Sequence, residues 1–411
     1  MNTGELAKKK EKGETMKRLS VVTMILLMGL GLLGISPAYG EQKSTYTVGL
    51  VSDLTGRMSD MGTAVKRGME IALERINAAG GVNGRMLRPV YYDGESDPSK
   101  AVLHTKRLIE VDKAIMVTGY NLSGSAMASI QTAESGRITM NSASASEKIW
   151  IPTKKWIYNV VPRQWEASIP TLIEVLQRKG AKKIAYVYID TTYGQTGKEV
   201  FDKAAKEMKF TPAVAEKYAP GSTDVGPQIT HIKAAGADGI LITGNLADTV
   251  MVIKNAKDMG FTGPIVSDYA IVGPEFIQLG GKYVEGIVTT SLKALVAPEL
   301  AASDPQKKVA MELYGEYTKR YGAFSLYAGH SWDIAFLLVE ALRKVDPKLD
   351  PAKDSDLVKI RAQLRDNMEK IRGFVGQNGI FNYSPDNHNG LPPRCYVPVV
   401  VQEGKWRLYK K

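Results

Sequence analysis

Cysteine and histidine are scarce in this 411-residue chain, in which Cys395 is the only cysteine and only four histidines occur. A lone cysteine has no partner for an intramolecular disulfide bond. So few cysteine and histidine side chains also argue against a structural zinc site. We therefore expect no metal site and no bound cofactor.

The usual short signatures of catalysis are also missing. No G-x-x-x-x-G-K-[ST] sequence occurs, and residues 194–198 have the wrong spacing for one. Residues 52–56 lack the G-x-G-x-x-G pattern of dinucleotide sites, and H-E-x-x-H is absent. Residues 329–333 approach the G-x-S-x-G pattern of hydrolases but lack its final glycine. We expect no catalytic residue, and an exported α/β enzyme stays the least favoured alternative.

The chain also lacks a concentrated basic surface. It carries 54 Lys and Arg residues against 43 Asp and Glu residues, a formal net charge of +11. These charges are interleaved along the chain, whereas a nucleic-acid interface needs a basic stripe with aromatic residues. We therefore expect no nucleic-acid partner, and the excess charge is interpreted as a solvated surface.

The N-terminus has the charge pattern of a secretory signal. Residues 8–18 carry six basic side chains, residues 19–35 are mainly apolar, and residues 36–40 read Ser-Pro-Ala-Tyr-Gly. This order predicts a signal peptide over residues 1–40, with translation starting at Met1 or Met16. The alternative is a membrane anchor, because an apolar run of this length is near the minimum that spans a bilayer. The absence of a cysteine near the cleavage point excludes a lipid anchor there, and we expect a periplasmic protein.

The remaining sequence alternates between short apolar segments and amphipathic ones. Strands are predicted at residues 46–50, 86–93 and 183–189, and helices at residues 62–78 and 197–208 follow the first and the last of them. This alternation is typical of parallel sheets with crossover helices, so the predicted fold class is α/β. About 370 residues in one mature chain favour two domains. Residues 346–356 are predicted to be a surface loop.

Small hydroxyl residues follow three of the predicted strands. They lie in residues 54–62, 119–125 and 141–146. Ligands of open α/β sheets bind beyond the carboxyl ends of the strands. Serine hydroxyls and free N–H groups there can hold an anion, and Ser123 can also cap the helix that follows. The alternative is that these serines only cap helices.

Residues 74–85 read Glu-Arg-Ile-Asn-Ala-Ala-Gly-Gly-Val-Asn-Gly-Arg. This segment closely resembles the helix-to-turn signature of branched-chain amino-acid binding proteins, a group of type I periplasmic binding proteins that serve ABC importers. Residues 49–56, 92–98 and 193–194 fit the same family, so the resemblance covers essentially the whole mature chain. The double glycine is suited to end a helix, and Asn83-Gly84 to form the tight turn into the next strand.

The resemblance implies two lobes, each a doubly wound parallel sheet, joined by three hinge crossovers. We expect the first lobe to contain residues 45–162 and 291–370, and the second to contain residues 163–290 and 371–411. The lobes of this family close on a ligand bound between them.

The resemblance also implies a set of ligand-binding residues. Ser123 matches the serine that holds the ligand carboxylate, and Ser142, Ala143 and Ser144 match a triplet that supplies a carbonyl and a hydroxyl group. Tyr193 matches a tyrosine of the second lobe, although it could instead stand at the cleft edge without touching the ligand. The other implied wall positions are Tyr120, Asn121, Met61, Phe324, Asn245 and Trp165. Phe324 could equally be an ordinary core residue.

One position departs from the family pattern. Where amino-acid binders place a glutamate against the ligand ammonium, this chain has Asp268 followed by Tyr269. A cation buried without a carboxylate partner is costly. If Asp268 faces the cleft, an amino acid is the expected ligand. If Tyr269 does, an aromatic or aliphatic acid without an ammonium group becomes the alternative.

We therefore expect a monomeric binding protein that delivers an amino acid or related small carboxylate to an ABC permease and its ATPase subunits. A soluble sensory module of the same fold is a further alternative.

Overall fold

The computed structural model describes residues 44–163, 168–392 and 395–410. The predicted signal peptide and Trp165 lie outside these residues. The described chain contains two main sheets, each covered by helices, and we call each sheet with its helices a lobe.

The first sheet is wholly parallel. Across the sheet, the strands lie in the order second, first, third, fourth, fifth, counted along the chain. The strand nearest the N-terminus therefore lies inside the sheet. The first strand is buried at every residue, as expected for a parallel strand covered on both faces. The strands are β1 (Tyr46–Ser52), β2 (Leu87–Asp93), β3 (Met116–Gly119), β4 (Thr139–Ser142) and β5 (Ile157–Asn159).

The helices of the first lobe come from two distant parts of the sequence. Those that alternate with the strands are α1 (Ser59–Ala78), α2 (Pro98–Glu110) and α3 (Ser123–Ser135). Those that return much later are α9 (Lys307–Tyr321), α10 (Tyr327–Leu342) and α11 (Asp354–Met368). The helices α10 and α1 pack closely, and a Cβ atom on Gly68 of α1 would lie 2.2 Å from the carbonyl oxygen of Ala328.

The second sheet is parallel over most of its width and antiparallel at one edge. Its strands are β6 (Ile184–Ile189), β7 (Val214–Tyr218), β8 (Gly239–Thr243), β9 (Ile265–Ser267), β10 (Val288–Leu292), β13 (Tyr396–Gln402) and β14 (Lys405–Leu408). Their spatial order is β14-β13-β10-β9-β8-β6-β7, and β13 pairs antiparallel with both β10 and β14. The helices are α4 (Ile169–Arg178), α5 (Thr192–Glu207), α6 (Gly226–Ala234), α7 (Leu246–Asp258) and α8 (Pro274–Gly280).

The antiparallel edge differs from the wholly parallel lobe that we expected. The β13–β14 connection consists of Glu403 and Gly404, with φ values of 54° and 67°. Two successive residues with positive φ form the tight hairpin turn that joins antiparallel strands. The parallel and crossover part of the prediction is confirmed, and this terminal hairpin is an addition to it.

The chain passes between the lobes three times. It leaves the first lobe after β5, returns through the short helical segment Lys293–Glu299 after β10, and leaves again towards β13. A small hairpin of β11 (Phe374–Val375) and β12 (Ile380–Phe381) precedes the last passage. The predicted lobe boundaries, at residues 162, 290 and 370, remain a prediction.

The predicted helix-to-turn segment has the expected geometry. The helix α1 ends at Ala78, and Gly80, Gly81, Asn83 and Gly84 all have positive φ. The Asn83 amide then donates to the carbonyl oxygen of Leu342 at 3.0 Å, so the turn is tied to the end of α10. Residues 346–353 form turns as predicted, but the loop ends earlier than expected because α11 begins at Asp354.

Within the described ranges, no helix has the length and apolar character needed to cross a bilayer.

Candidate functional site

A narrow cavity lies between the two lobes, beyond the carboxyl ends of their central strands. Its volume is about 20 Å³, which leaves room for about one water molecule. A ligand must therefore enter through separation of the lobes or displacement of side chains. The lining residues are Met58, Met61, Asn121, Leu122, Ser123, Ala143, Ala145, Tyr193, Asn245, Tyr269 and Ala270.

The N-terminus of α3 forms one end of this cavity. The helix begins at Ser123, and its N-cap residue is Leu122, which provides no side-chain cap. The prediction that Ser123 caps the helix is therefore wrong, because Ser123 already lies in the first turn. The first intrahelical bond is donated by the N–H of Ala126 to Leu122. The N–H groups of residues 123–125 thus lack helical acceptors and suit an anion.

Asn121 presents a hydrogen-bond donor to the same end. Its Oδ1 atom accepts from the Ser52 hydroxyl at 2.8 Å and from the backbone N–H of Asp53 at 3.3 Å. Only the amide oxygen can accept from that N–H, so the amide orientation is fixed. Its Nδ2 atom is buried and has no hydrogen-bond partner among the described residues. A buried unpaired donor beside a cavity indicates a ligand acceptor or an ordered water.

Tyr120 does not contribute its ring to this wall, contrary to our expectation. The ring packs into the core between β3 and the helices α2 and α3, and its hydroxyl lies 2.7 Å from that of Thr105. Tyr120 adopts a φ of 55°, which turns its side chain inward. Its backbone carbonyl accepts a hydrogen bond from the Ser144 hydroxyl.

The triplet of residues 142–144, at the end of β4, contributes one lining residue. Ala143 lines the cavity, and its N–H donates to the carbonyl of Gly119 at 2.8 Å. The side chains of Ser142 and Ser144 are buried and used within the protein: Ser142 Oγ accepts from the N–H of Ser144 at 3.1 Å. The hydroxyl predicted to face a ligand from Ser144 instead joins two loops of the first lobe.

The second lobe places Tyr193 and Tyr269 in the wall and Asp268 behind them. Tyr193 donates its hydroxyl to Asp268 Oδ2 at 2.5 Å. Asp268 is fully buried and is absent from the lining set, whereas Tyr269 belongs to it. Tyr269 therefore faces the cleft, stacked on Tyr396 with ring centroids 5.2 Å apart.

Burial raises the pKa of Asp268 to about 7, although hydrogen bonds from Tyr193, the N–H of Ala270 and the Thr243 hydroxyl oppose that shift. This carboxyl group lies behind the tyrosine wall and is hydrogen-bonded to Tyr193. The protonation state of Asp268 can respond to a charged ligand in the cavity, because a nearby cation favours the ionised form of a carboxyl group.

The remaining predicted residues divide between the cavity and the core. Met61 and Asn245 line the cavity, and the Asn245 amide donates to Asp248 at 3.3 Å. Phe324 packs against Tyr314 and Tyr317, with centroid distances of 5.2 and 5.5 Å, and does not line it. The alternative that Phe324 is a core residue is the one that the structure supports.

Four lining residues were not predicted from the sequence. Leu122 and Ala145 are each next to a predicted residue in the sequence, and Ala270 follows Tyr269. Only this proximity in the sequence could have indicated that they line the cavity. Met58 lies one helical turn before Met61, a spacing that places both on one face of the helix start. The four are Met58, Leu122, Ala145 and Ala270.

In the described part of the chain, no group of three or more His, Cys, Asp or Glu residues is arranged to hold a metal ion.

Comparisons with known proteins agree with this architecture. A family model described as "Periplasmic binding protein" matches residues 45–405. The "Leu/Ile/Val-binding protein homolog 7" of Brucella melitensis is 27% identical over 335 residues, which cover 76% of this chain and 80% of that protein.

Solved structures show the same fold. An extracellular ligand-binding receptor from Rhodopseudomonas palustris HaA2 superposes with a TM-score of 0.82 at 26% identity, covering 89% of this chain and 99% of that one. The substrate-binding protein of a branched-chain amino acid transporter from Streptococcus pneumoniae, solved with isoleucine, gives a TM-score of 0.75 at 20% identity. Its alignment covers 88% of this chain and 98% of that one. With a two-lobed fold, a cavity between the lobes and a family match over 45–405, this chain belongs to the periplasmic binding protein family.

Proposed function

We propose that this chain is the extracytoplasmic solute-binding component of an ABC-type importer, and that it captures an amino acid or a related small carboxylate between its lobes. The observation that carries the proposal is the convergence of donors at one end of the cavity between the lobes. The uncapped N-terminus of α3, the Ser123 residue and the buried Asn121 amide all face that end. Such a set favours a carboxylate without requiring a charged side chain.

The relatives support the same class of ligand. The Brucella relative is named for leucine, isoleucine and valine, and a Pseudomonas aeruginosa relative that is 27% identical over 268 residues is named an amino acid binding protein. The middle of the wall fits an uncharged ligand body, because Met58, Met61 and Leu122 are apolar.

The residues proposed to contact the ligand are those of the predicted set that line the cavity. Ser123 and Asn121 hold the carboxylate, the backbone of Ala143 offers its carbonyl, and Tyr193 and Tyr269 form the opposite wall. Met61 and Asn245 complete the enclosure. Ser142 and Ser144 act indirectly by fixing the loop that carries Ala143.

The proposed route to the site of action begins with the predicted signal peptide over residues 1–40. Export would place the folded protein in the periplasm, where the loaded form meets a permease with its ATPase subunits. We propose binding as the whole activity, because the polar side chains that line the cavity within the described residues are asparagine, serine and tyrosine. This set offers no general base beside a nucleophile.

A thermal-shift screen tests the proposal. The mature chain is mixed with the standard amino acids, with short aliphatic acids, with benzoate-type acids and with short amides. A true ligand at a hundred times its Kd raises the free energy of unfolding by about 2.7 kcal/mol. If no carboxylate-bearing compound moves the melting temperature, the proposed function is wrong.

Replacement of Ser123 locates the carboxylate. We expect Ser123→Ala to weaken binding of the best amino acid by about 1–3 kcal/mol, because a hydrogen bond to the anion is lost. Isothermal titration calorimetry gives the affinity. Ser135→Ala, at the other end of α3, removes a hydroxyl that accepts from Gln131 and serves as the control. Equal affinities for the two variants would show that the ligand carboxylate does not bind at the N-terminus of α3.

A further inference from the structure

A buried carboxyl group lies beside the helix start that is proposed to hold the ligand carboxylate. Asp53 follows β1 and is 2% exposed. Its Oδ1 atom accepts a hydrogen bond from the N–H of Ser96 at 2.9 Å. Its Oδ2 atom is buried and has no hydrogen-bond partner among the described residues. A buried oxygen of this kind is costly to keep charged, so a proton on it is favoured.

Two contacts place Asp53 at the same end of α3 as the proposed ligand site. The N–H of Leu122, the N-cap residue of α3, is directed at the Asp53 carboxyl group, and Leu122 itself lines the cavity. The backbone N–H of Asp53 donates to Asn121 Oδ1 at 3.3 Å, and the other side of that amide faces the cavity. Asp53 therefore approaches the N-terminus of α3 from inside the lobe, whereas a ligand approaches it from the cavity.

Two negative groups then share one helix end. One is the carboxyl group of Asp53, and the other is the ligand carboxylate that the free N–H groups of residues 123–125 are proposed to hold. Like charges repel strongly where water is excluded. Among the described residues that line the cavity, none carries a basic side chain that would offset the repulsion. Protonation of Asp53 removes it.

Resting on the proposed binding function, we propose that Asp53 couples the capture of a carboxylate ligand to the uptake of a proton. The proton moves from the solvent onto the Asp53 carboxyl group as the ligand carboxylate reaches α3. Asp53 acts through the charge at the helix end and does not touch the ligand. The protein therefore loads a carboxylate more readily on the acidic side of neutral pH.

The surroundings of Asp53 bring its titration close to neutral pH. Burial raises the pKa of Asp53 from 3.8 to about 6, against the N–H groups of Ser96 and Leu122, which lower it. Of the charged side chains that face it, Asp93 at the end of β2 raises the pKa, and Arg57 in the loop after β1 lowers it. A carboxylate bound at α3 adds a like charge and raises the pKa further. Between the two pKa values, binding transfers a proton to Asp53.

Two other acidic groups belong to elements packed against Asp53. Burial acts to raise the pKa of Asp93, but hydrogen bonds from Glu95 and Thr55 bring it below its usual value, so Asp93 stays ionised. Burial raises the pKa of Asp60, in the first turn of α1, and the first turn of α3 contains no acidic residue. Substitution of Asp53 itself separates its titration from that of Asp60 and from that of Asp268 in the second lobe.

The variant Asp53→Asn removes the charge and keeps the shape of the side chain. The native and variant mature chains are titrated calorimetrically with L-leucine, L-phenylalanine, 4-methylpentanoate and 3-phenylpropanoate. For each probe that binds, we expect Asp53→Asn to bind about tenfold more tightly than the native chain at pH 8, where native Asp53 is ionised before binding. At pH 6 the two affinities should agree within about threefold, because protonated Asp53 is neutral like asparagine.

The uptake of the proton is measured directly. Calorimetry of the same titration in phosphate and in Tris, whose heats of ionisation differ, gives the number of protons that binding transfers. Near pH 6.5, the native chain should take up about half a proton more per ligand than Asp53→Asn. If Asp53→Asn fails to fold, Asp53→Ser, which is also uncharged, takes its place.

Asp97→Asn is the matched control. Asp97 is the N-cap residue of α2, and its carboxylate accepts from the N–H of Ser99 at 2.7 Å at the exposed start of that helix. Asparagine caps a helix about as well as aspartate, so this variant loses the same charge without losing the cap. It should keep the pH dependence and the proton uptake of the native chain.

The outcomes separate this coupling from the proposed function. If none of the four probes binds the native chain at millimolar concentration, the proposed capture of these ligands is overturned, and the coupling with it. If a probe binds, and the native chain and Asp53→Asn show the same pH dependence and the same proton uptake, the proposed function stands and the role of Asp53 is wrong. A loss of the proton uptake in Asp97→Asn as well would also overturn that role.

Discussion

At the scale of single residues, the Asn121 amide gives the most specific prediction for the carboxylate end. Its oxygen is committed to Ser52 and Asp53, and its buried nitrogen faces the ligand end of the cavity. We expect Asn121→Asp to weaken a carboxylate ligand at least about tenfold, because a donor is replaced by a like charge. Calorimetric titration of the best amino acid measures the change.

The aspartate in this variant keeps the oxygen that accepts from Ser52 and Asp53. Its second oxygen would be buried without a partner, so the variant should also lose some stability, and its melting temperature without ligand separates this folding effect from the binding effect. An unchanged affinity would place the ligand carboxylate out of reach of Asn121.

The sequence predicted the neighbourhood of the site more accurately than the direction of its side chains. Ser123, Asn121 and Met61, which follow strand ends, line the cavity, and their contact with a ligand stays a prediction. The side chains of Tyr120 and Ser144 do not line it, since a positive φ turns one into the core and a hydrogen bond across two loops uses the other. Both effects depend on backbone positions distant in sequence, which a residue pattern does not contain.

At the scale of elements, the helix that follows the first strand begins in the same way in both lobes. A Cβ atom on Gly62 of α1 would lie 1.9 Å from the carbonyl oxygen of Asp53, and one on Gly194 of α5 would lie 1.9 Å from that of Ile189. In both places the helix start rests directly on the end of the first strand of its lobe. The adjacent residues, Met61 and Tyr193, thereby reach the cavity.

Alanine at these glycines should displace both helix starts. We expect Gly62→Ala and Gly194→Ala each to lower the free energy of unfolding by about 1–3 kcal/mol, because a methyl group would overlap backbone. Both should also weaken ligand binding. Urea denaturation and calorimetry provide the two measurements.

Gly315 in α9 is a suitable control. A Cβ atom there would meet nothing within 4 Å, and Gly315→Ala should stabilise the protein by about 0.5–1 kcal/mol through helix propensity. If Gly62→Ala were as stable as Gly315→Ala, the close approach of α1 to the strand end would be wrong.

The elements themselves were largely predictable where the sequence alternates regularly. The strand predicted over residues 183–189 agrees with β6 to within one residue, and α1 was predicted to within three residues at its start. The helices α4 and α11 and the strands β13 and β14 were not predicted. The strand β13 mixes buried and exposed residues, and β14 has no buried residue. Both belong to the antiparallel edge of the sheet, so they lack the continuous apolar run that marks a central parallel strand.

At the scale of the whole molecule, buried acidic groups determine how stability changes with pH. Burial raises the pKa of Asp268 to about 7 and that of Asp333 to about 8, from 3.8 in each case. A group whose pKa is higher in the folded state stabilises the fold below its unfolded pKa and loses that contribution as pH rises through its folded pKa. Burial lowers the pKa of His330 from 6.5 to about 4, so its effect is confined to pH values below 6.5.

We therefore expect the free energy of unfolding to fall as pH rises from 6.5 to 8. In this window the unfolded state holds both aspartates ionised, while the folded state still holds protons on them. Urea denaturation at a series of pH values measures the slope. Asp333→Asn should flatten it, although it also weakens the link between α10 and residues 377–378, whose N–H groups donate to Asp333 at 2.7 and 2.8 Å. A free energy of unfolding that rises between pH 6.5 and 8 would contradict the raised pKa values of Asp268 and Asp333.

The contacts that join the lobes beside the cavity bear on how fast a bound ligand is released. The hydroxyls of Ser146 and Thr196 meet at 2.7 Å, and Lys148 pairs with Glu199 at 2.9 Å, in each case linking the loop after β4 to α5. If these contacts must break before a bound molecule leaves, residence times of chemically different ligands should converge on one opening rate.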